Sequence, residues 1–429
     1  MKKKTALTAL EKSWILYDIG NSAFILLVST LLPIYFNTLA ENARISESDY
    51  LAYWGYAGSA ATLLVAVIAP VCGTLADQKN FKKPLFLLCL GLGALGCAAL
   101  GGAWSWLSFL VIFVIAKVGY SSSIVFYDSM LTEVTTWERM DKVSSLGYAY
   151  GYIGSVIPFV ICLGIVLGYE MVGISQVTAL IIAFGITAVW WVLCSVPLIQ
   201  KYRQKAYQPS KGNPVADTFR QLWKTFREAK SQKHIFLYLL AFFFFIDGVY
   251  TIIDMATAYG KSLGLDTTGL LLALLVTQIV AFPCSIVFGR LSAKYDSGKL
   301  IKICIACYTG ITLFAVFLMT QWQFWVLAVL VGMFQGGIQA LSRSYLGKII
   351  PVAQSGEYFG LMDICGKGAS FVGTTMVAVV SQATDGLEFC VFGLPVRNTG
   401  IAVGTLVALF AIGFVLFCKA DKLNKQRMQ

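Results

Sequence analysis

Asp18, Lys117, Asp128, Asp247, Arg343, Asp363 and Lys367 each stand inside a long apolar run of the chain. A charge at the centre of a membrane helix costs ~2.5–3.5 kcal/mol on insertion scales, so such a side chain faces a cavity or a partner. A carboxylate placed there can take up and release a proton. An ammonium group can hold an anionic group such as a carboxylate. This is chemistry for binding and moving a small solute. Bond-making chemistry finds no support: no nucleophile–base pair, phosphate-binding loop or metal cluster is present, so no enzyme activity, cofactor or metal is expected. Cys304 and Cys307 form a C-x-x-C. With no second pair, and with His234 as the sole histidine, they read as small apolar residues. His234, at a loop edge, reads as solvated.

The elements that carry these residues follow from composition. Of 429 residues, 58% are hydrophobic and 13% charged, and mean hydropathy is +0.73. A soluble domain of this size needs more surface charge. A membrane span needs ~20 apolar residues, and twelve segments qualify: 14–40, 50–76, 82–103, 105–131, 144–168, 174–198, 235–260, 267–293, 299–319, 323–349, 357–381 and 397–418. The runs are continuous rather than alternating, which excludes a β-barrel. The fold class is an all-α polytopic membrane protein of two six-helix halves, residues 1–198 and 235–429, joined by a linker at 199–234.

Lys and Arg orient it. Of the 33, Arg44, Lys261 and Arg397 fall on one side, Lys117 and Lys367 lie inside spans, and all others fall on the opposite side. That side is the cytoplasm, with both termini in it. Basic loops facing an anionic leaflet account for the net charge of +11 without nucleic acid. Within the linker, PSKGNP at 209–214 breaks the chain and VADTFRQLWKTFREAK resumes with helical period. Val215, Phe219, Leu222, Trp223 and Phe226 share one face, and Arg220, Lys224, Arg227 and Lys230 lie away from it. This helix either lies on the inner membrane surface or packs on cytoplasmic loops.

The halves repeat. GTLADQKNFKK (73–83) follows span 2 and GRLSAKYDSGK (289–299) follows span 8; AKVGYSSSIVFYDSML in span 4 and MFQGGIQALSRSYL in span 10 stand at nearly the same offset. Paired halves are the internal symmetry of alternating-access carriers. At 73–83 the chain resembles the major facilitator superfamily's loop motif, with Asn80 or Phe81 replacing its usual glycine. Lys117-Val118-Gly119 sits where that superfamily often has arginine followed by glycines. WILYDIGNSAF (14–24), FYDSML (126–131), SSLGYAYGYIG (144–154), GGIQALSRSY (336–345) and FGLMDICGKGASFVG (359–373) resemble the family of the autophagy-related vacuolar amino-acid effluxer and its bacterial relatives. The short chain resembles the bacterial branch, which implies the inner membrane. The resemblance implies transport, with amino-acid efflux as one outcome; a secondary carrier driven by a proton or solute gradient, the proton first, is expected. A receptor-like or lipid- or drug-handling protein on the same fold is the alternative. A monomer, with a small-molecule substrate and membrane lipid as partners, is expected.

Helical spacing groups the polar residues. Asp18 and Asn21 share a stripe on span 1. Lys117, Tyr120 and Asp128 share one on span 4, Asp247, Thr251 and Asp254 on span 7, Gln335, Gln339 and Ser342 on span 10, and Asp363, Lys367 and Ser370 on span 11. Tyr250 is a lining candidate on span 7. In the superfamily, spans 1, 4, 7 and 10 line the path. The substrate-binding candidates are therefore Lys117, Tyr120, Asp247, Tyr250, Gln335, Gln339 and Lys367, and the proton-coupling candidates are Asp18, Asp128 and Asp247. Gating candidates are Asn21, Gly73, Asp77, Lys82, Lys83, Gly289, Arg290 and Arg343. Asp18 and Asn21 also read as polar glue between helices. Asp77 is expected to meet a helix N-terminus such as that of span 11. Asp247 and Lys367 are expected to pair in at least one conformation; the competing reading pairs Lys367 with Asp363 one turn away.

Overall fold

The computed structural model describes residues 6–209, 213–227, 232–384, 389–391 and 394–428. Lys2, Lys3, Lys4, Lys211 and Lys230 lie outside these residues, as do positions 210–212 of the breaker and the side chains of Ser29, Val215, Phe226 and Ser370. The helices are α1 (Ala9–Asn42), α2 (Glu47–Ala76), α3 (Lys82–Ala99), α4 (Trp106–Val134), α5 (Met140–Leu167), the short α6 (Tyr169–Val172), α7 (Gln176–Lys201) and the linker helix α8 (Pro214–Arg227). They continue with α9 (Lys233–Ser262), α10 (Thr267–Leu291), α11 (Ser297–Val316), α12 (Gln321–Ile349), α13 (Ser355–Ala383), α14 (Asn398–Gly404) and α15 (Leu406–Met428). Among the described residues, 12 helical segments are long and apolar enough to cross a membrane. They match the twelve expected spans. Leu63, Val67 and Leu95 are exposed by 69%, 69% and 73%. Lipid covers such side chains, so the spans need bury only the faces they turn to each other.

Several boundaries differ from the sequence reading, each for a local reason. α1 starts at Ala9 rather than 14 because Thr8 and Glu11 form a reciprocal capping box. α5 starts at Met140 rather than 144, with Asp141 in its first turn. The last span divides into α14 and α15. Before it, β1 (Phe389–Val391) and β2 (Leu394–Val396) pair antiparallel, with Phe389 opposite Val396.

The chain forms two compact units. Unit 1 comprises Met1–Trp137, Tyr150–Leu222 and Pro351–Gly360; unit 2 comprises Glu138–Ala149, Trp223–Ile350 and Leu361–Gln429. Each unit therefore includes the opening turns of one helix that belongs, in sequence, with the other: α13 in unit 1 and α5 in unit 2. In unit 1, Trp14 stacks on Tyr127 and Phe24 on Trp191. In unit 2, Tyr238 and Phe417 pack edge to face.

Candidate functional site

Within unit 1 the best-built polar cluster closes the end of α2. Asp77 caps that helix and is 2% exposed. Its Oδ1 accepts from the Gly356 amide at 2.8 Å and its Oδ2 from the Glu357 amide at 2.8 Å. These are first-turn N–H groups of α13, which have no partner inside their own helix. A carboxylate there also meets the positive end of the helix dipole. Two glycines allow the approach: a β-carbon on Gly73 would land on the Gly356 carbonyl, and one on Gly356 would land on that of Gly73. Asn80 adopts φ 66°. Of the two residues that could replace the resembled motif's glycine, Asn80 is thus the one in the left-handed region, which asparagine tolerates better than most residues, while Phe81 has φ −90°.

Lys82 is fully buried beside it. Its Nζ lies 3.0 Å from Glu133 Oε1, 2.9 Å from Ser355 Oγ and 3.6 Å from Asp77 Oδ1. Glu133 is in turn saturated. It accepts from the Tyr202 hydroxyl at 2.9 Å and from the Lys205 and Ala206 amides at 2.5 and 3.2 Å. Gln204 donates to the carbonyls of Ala76 and Gln78, and the Gln208 amide donates to that of Asp77 at 2.7 Å. The first stretch of the linker is thereby stitched to the loop after α2. Burial pushes the Asp77 carboxyl up to about 6, against the pull of Lys82 and the two amides. Lys83, by contrast, is only half-buried.

Glu133→Ala removes the partner of a buried ammonium. Breaking a buried pair in this way costs ~3–5 kcal/mol. The variant is expected to melt well below wild type in detergent, and Glu133→Gln, which keeps the side-chain shape and one acceptor oxygen but loses the charge and the second acceptor, to recover only part of the loss. Equal melting of Glu133→Ala and wild type would contradict this assignment.

Unit 2 holds a second cluster. Asp141, in the first turn of α5 and 4% exposed, accepts from Ser344 Oγ at 2.6 Å, Ser297 Oγ at 2.7 Å and Lys348 Nζ at 2.5 Å. One turn on, Ser144 donates to the Ala340 carbonyl. Arg343 donates through Nε to Ser144 Oγ at 2.9 Å and through Nη2 to the Ser144 carbonyl at 3.0 Å. Its guanidinium lies 4.3 Å from the Tyr148 ring centroid. Gly289 faces the Ser145 side chain, as Gly73 faces Gly356 in unit 1. Arg290 is exposed.

The interior candidates separate. Asp247 is 0% exposed. Among the described residues its donors, the Gly373 amide at 3.0 Å and Thr251 Oγ1 at 3.2 Å, both meet Oδ1. Oδ2 is buried with no hydrogen-bond partner among the described residues. Lys367 does not pair with it here; it binds Asp363, one helical turn away. Proximity along one helix makes that pair less costly than one reached across helices. Tyr250 lies near Gly366. Gln335 is buried, Gln339 half-buried and Asp254 exposed. In unit 1, Lys117 Nζ sits 5.6 Å from the Phe113 ring centroid and faces Gly58. Tyr120 packs with Phe24 and Trp191. Asp18 is 7% exposed, with Asn21 Nδ2 at 3.4 Å from its Oδ1 and at 3.2 Å from the Tyr17 carbonyl. Asp128 is half-buried. His234, expected to be solvated, is instead 6% exposed, its Nε2 lying 2.7 Å from Arg427 Nη1.

Glu133, Tyr202, Gln204, Ser355, Asp141, Ser144 and Lys348 were not among the sequence candidates. Glu133 carried the one available signal, a carboxylate at the very end of an apolar helix.

Known proteins place this architecture. The sequence matches the family described as "Vacuole effluxer Atg22 like" over residues 9–135 and 132–417. A protein of Bacillus subtilis (strain 168) described as an uncharacterized MFS-type transporter, YxiO, is 38% identical over 414 residues, 95% of this chain and 94% of that one. Autophagy-related protein 22-1 of Aspergillus fumigatus is 22% identical over 268 residues, covering 56% of this chain and 43% of that one. The crystal structure of the major facilitator superfamily transporter FucP in the outward conformation superposes with a TM-score of 0.70 at 16% identity, covering 96% of this chain and 97% of that one.

Proposed function

The chain belongs to the Atg22-like vacuole effluxer family, and from that membership we propose that this membrane transporter is a secondary carrier working by alternating access. The observation that carries this reading is the grip of Asp77 on the α13 amides. Asp77 belongs to the first half of the sequence and Gly356 to the second. The halves, 1–198 and 235–429, are the moving bodies, and this grip holds them together at the basic end. The second cluster, around Asp141, is the matching fastener in the other sequence repeat. Gly73, Gly289, Lys82 and Arg343 build the fasteners; Lys83 and Arg290 border them.

The solute is a small molecule with an anionic group, an amino acid being the first choice, because Lys117 and Lys367 are cations at mid-helix. Tyr120, Tyr250, Gln335 and Gln339 supply further contacts. The coupling ion is a proton carried by Asp247. Its donors among the described residues meet one oxygen, which leaves the other as the proton's place. Asp18 and Asp128 lie on the route. The protein acts as a monomer in the inner membrane with both termini cytoplasmic. Cysteines at the exposed positions Lys205 and Lys422, in an otherwise cysteine-free variant, should react with an impermeant thiol reagent only after lysis. Reaction in intact cells would reverse the orientation. A thermal-shift screen of the purified protein against amino acids, organic acids and peptides tests the substrate class, since a native-state ligand raises apparent stability.

The fastener is also pH-dependent. A freed Asp77 carboxyl titrates near the ordinary value of ~4, whereas the fastened one is raised to about 6. The fastened state therefore takes up a proton first. The proton's contribution to that state is fully present below the ordinary value and lost as pH rises through about 6. Spin labels at Lys79 and Gln354 should show more of the short distance at pH 5.5 than at pH 7.5, conditions chosen to straddle that value. A population that falls on acidification would contradict the sign.

A further inference from the structure

We propose that α8 is an anionic-lipid-binding strap that steadies the loop after α2. Its residues divide into three neighbouring sectors at ~100° per residue. Thr218, Leu222 and Thr225 are buried. Next around the helix come Phe219 and Trp223, exposed by 56% and 66%. Beyond them stand Arg220, Lys224 and Arg227, all exposed. A helix lying in the bilayer interface beside a protein wall needs this order: one side on protein, the next in acyl chains, the third among headgroups. The sequence reading grouped Leu222 with Phe219 and Trp223. The structure turns Leu222 inward and leaves the two aromatic rings as the apolar stripe.

The occupant is the anionic leaflet beside the chain's own spans. Three exposed cations flank two large apolar side chains, and the ion pair of Arg220 with Asp217 at 2.7 Å is exposed and weak. The protein wall is the gate loop itself. Gln78 Nε2 donates to Thr218 Oγ1 at 3.2 Å, and Gln221 Nε2 reaches Glu357 Oε2 at 3.5 Å. Gln78 and Glu357 adjoin the two ends of the Asp77 grip. Anchoring α8 therefore restrains both the loop and the first turn of α13. Only this last step rests on the gating role proposed above; lipid binding by α8 does not.

Two measurements on the full-length protein test it. In the first, Phe219→p-benzoylphenylalanine is irradiated in nanodiscs. Lipid adducts on the α8 peptide are expected, and their absence, or adducts to soluble protein alone, would overturn the proposal in favour of a cytosolic partner. In the second, hydrogen exchange is followed over residues 73–83 and 202–208 in phosphatidylcholine with and without phosphatidylglycerol. The anionic lipid should slow exchange about fivefold. R220Q/K224Q/R227Q and F219S/W223S should each lose that slowing while melting like wild type in phosphatidylcholine. Equal exchange in both lipids, or slowing that survives both variants, would overturn the strap. None of these readouts needs a substrate, so they fail independently of the transport reading.

Discussion

Asp77→Ala is expected to abolish turnover while leaving the amount of protein in the membrane near normal. The side chain accepts two charge-assisted hydrogen bonds, from the Gly356 and Glu357 amides in the first turn of α13. Each such bond contributes ~1.5–3 kcal/mol net, so losing both shifts the fastened–released balance by roughly two orders of magnitude or more. Alternating access requires both states, so transport falls by at least about tenfold. Expression survives because the Lys82–Glu133 contact at 3.0 Å still neutralises the buried ammonium. The checks are initial rates in proteoliposomes and the amount of protein in membranes. Wild-type rates in Asp77→Ala would remove Asp77 from the gate. Collapse of expression would make it a folding residue instead.

Asp247→Asn is expected to uncouple the carrier. The amide can keep an oxygen toward Gly373 N and Thr251, so the local packing holds, but it cannot carry a proton. Accumulation driven by a pH gradient should fall to background, while exchange of labelled for unlabelled solute continues. Asp247→Glu should do worse structurally, because the site is closed by backbone: a β-carbon on Gly373 would already strike the Asp247 carboxylate. Gradient-driven accumulation that persists in Asp247→Asn would move the coupling carboxylate to Asp18 or Asp128.

Some of this was readable from the chain and some was not. The spans were legible because hydrocarbon demands long apolar runs, a constraint each segment meets locally. Asp77 and its helix N-terminus were legible because the loop motif is short and its chemistry is local to a helix end. The rest of that cluster was not. Tyr202, Lys205 and Ala206 meet Glu133 across some seventy residues of sequence, and no periodicity records such a contact. The Asp247–Lys367 pair, expected in at least one conformation, is not formed in this one, because spacing along a helix does not record which neighbour its charges meet. A partner one turn away on the same helix, Asp363, requires no precise helix placement. Asp141 was missed because α5 begins earlier than hydropathy indicates: its first turn is polar, and it is that turn which meets Ser344 and Lys348.

Counterflow tests the central claim most directly. Proteoliposomes loaded with an unlabelled amino acid that raises the melting temperature are diluted into a trace of the same compound carrying a label. The account predicts a transient rise of internal label above its equilibrium level, present in wild type and Asp247→Asn and absent in Asp77→Ala. Binding in the thermal-shift assay with no such overshoot in wild type would contradict it, and would leave the chain a binder built on a transporter fold.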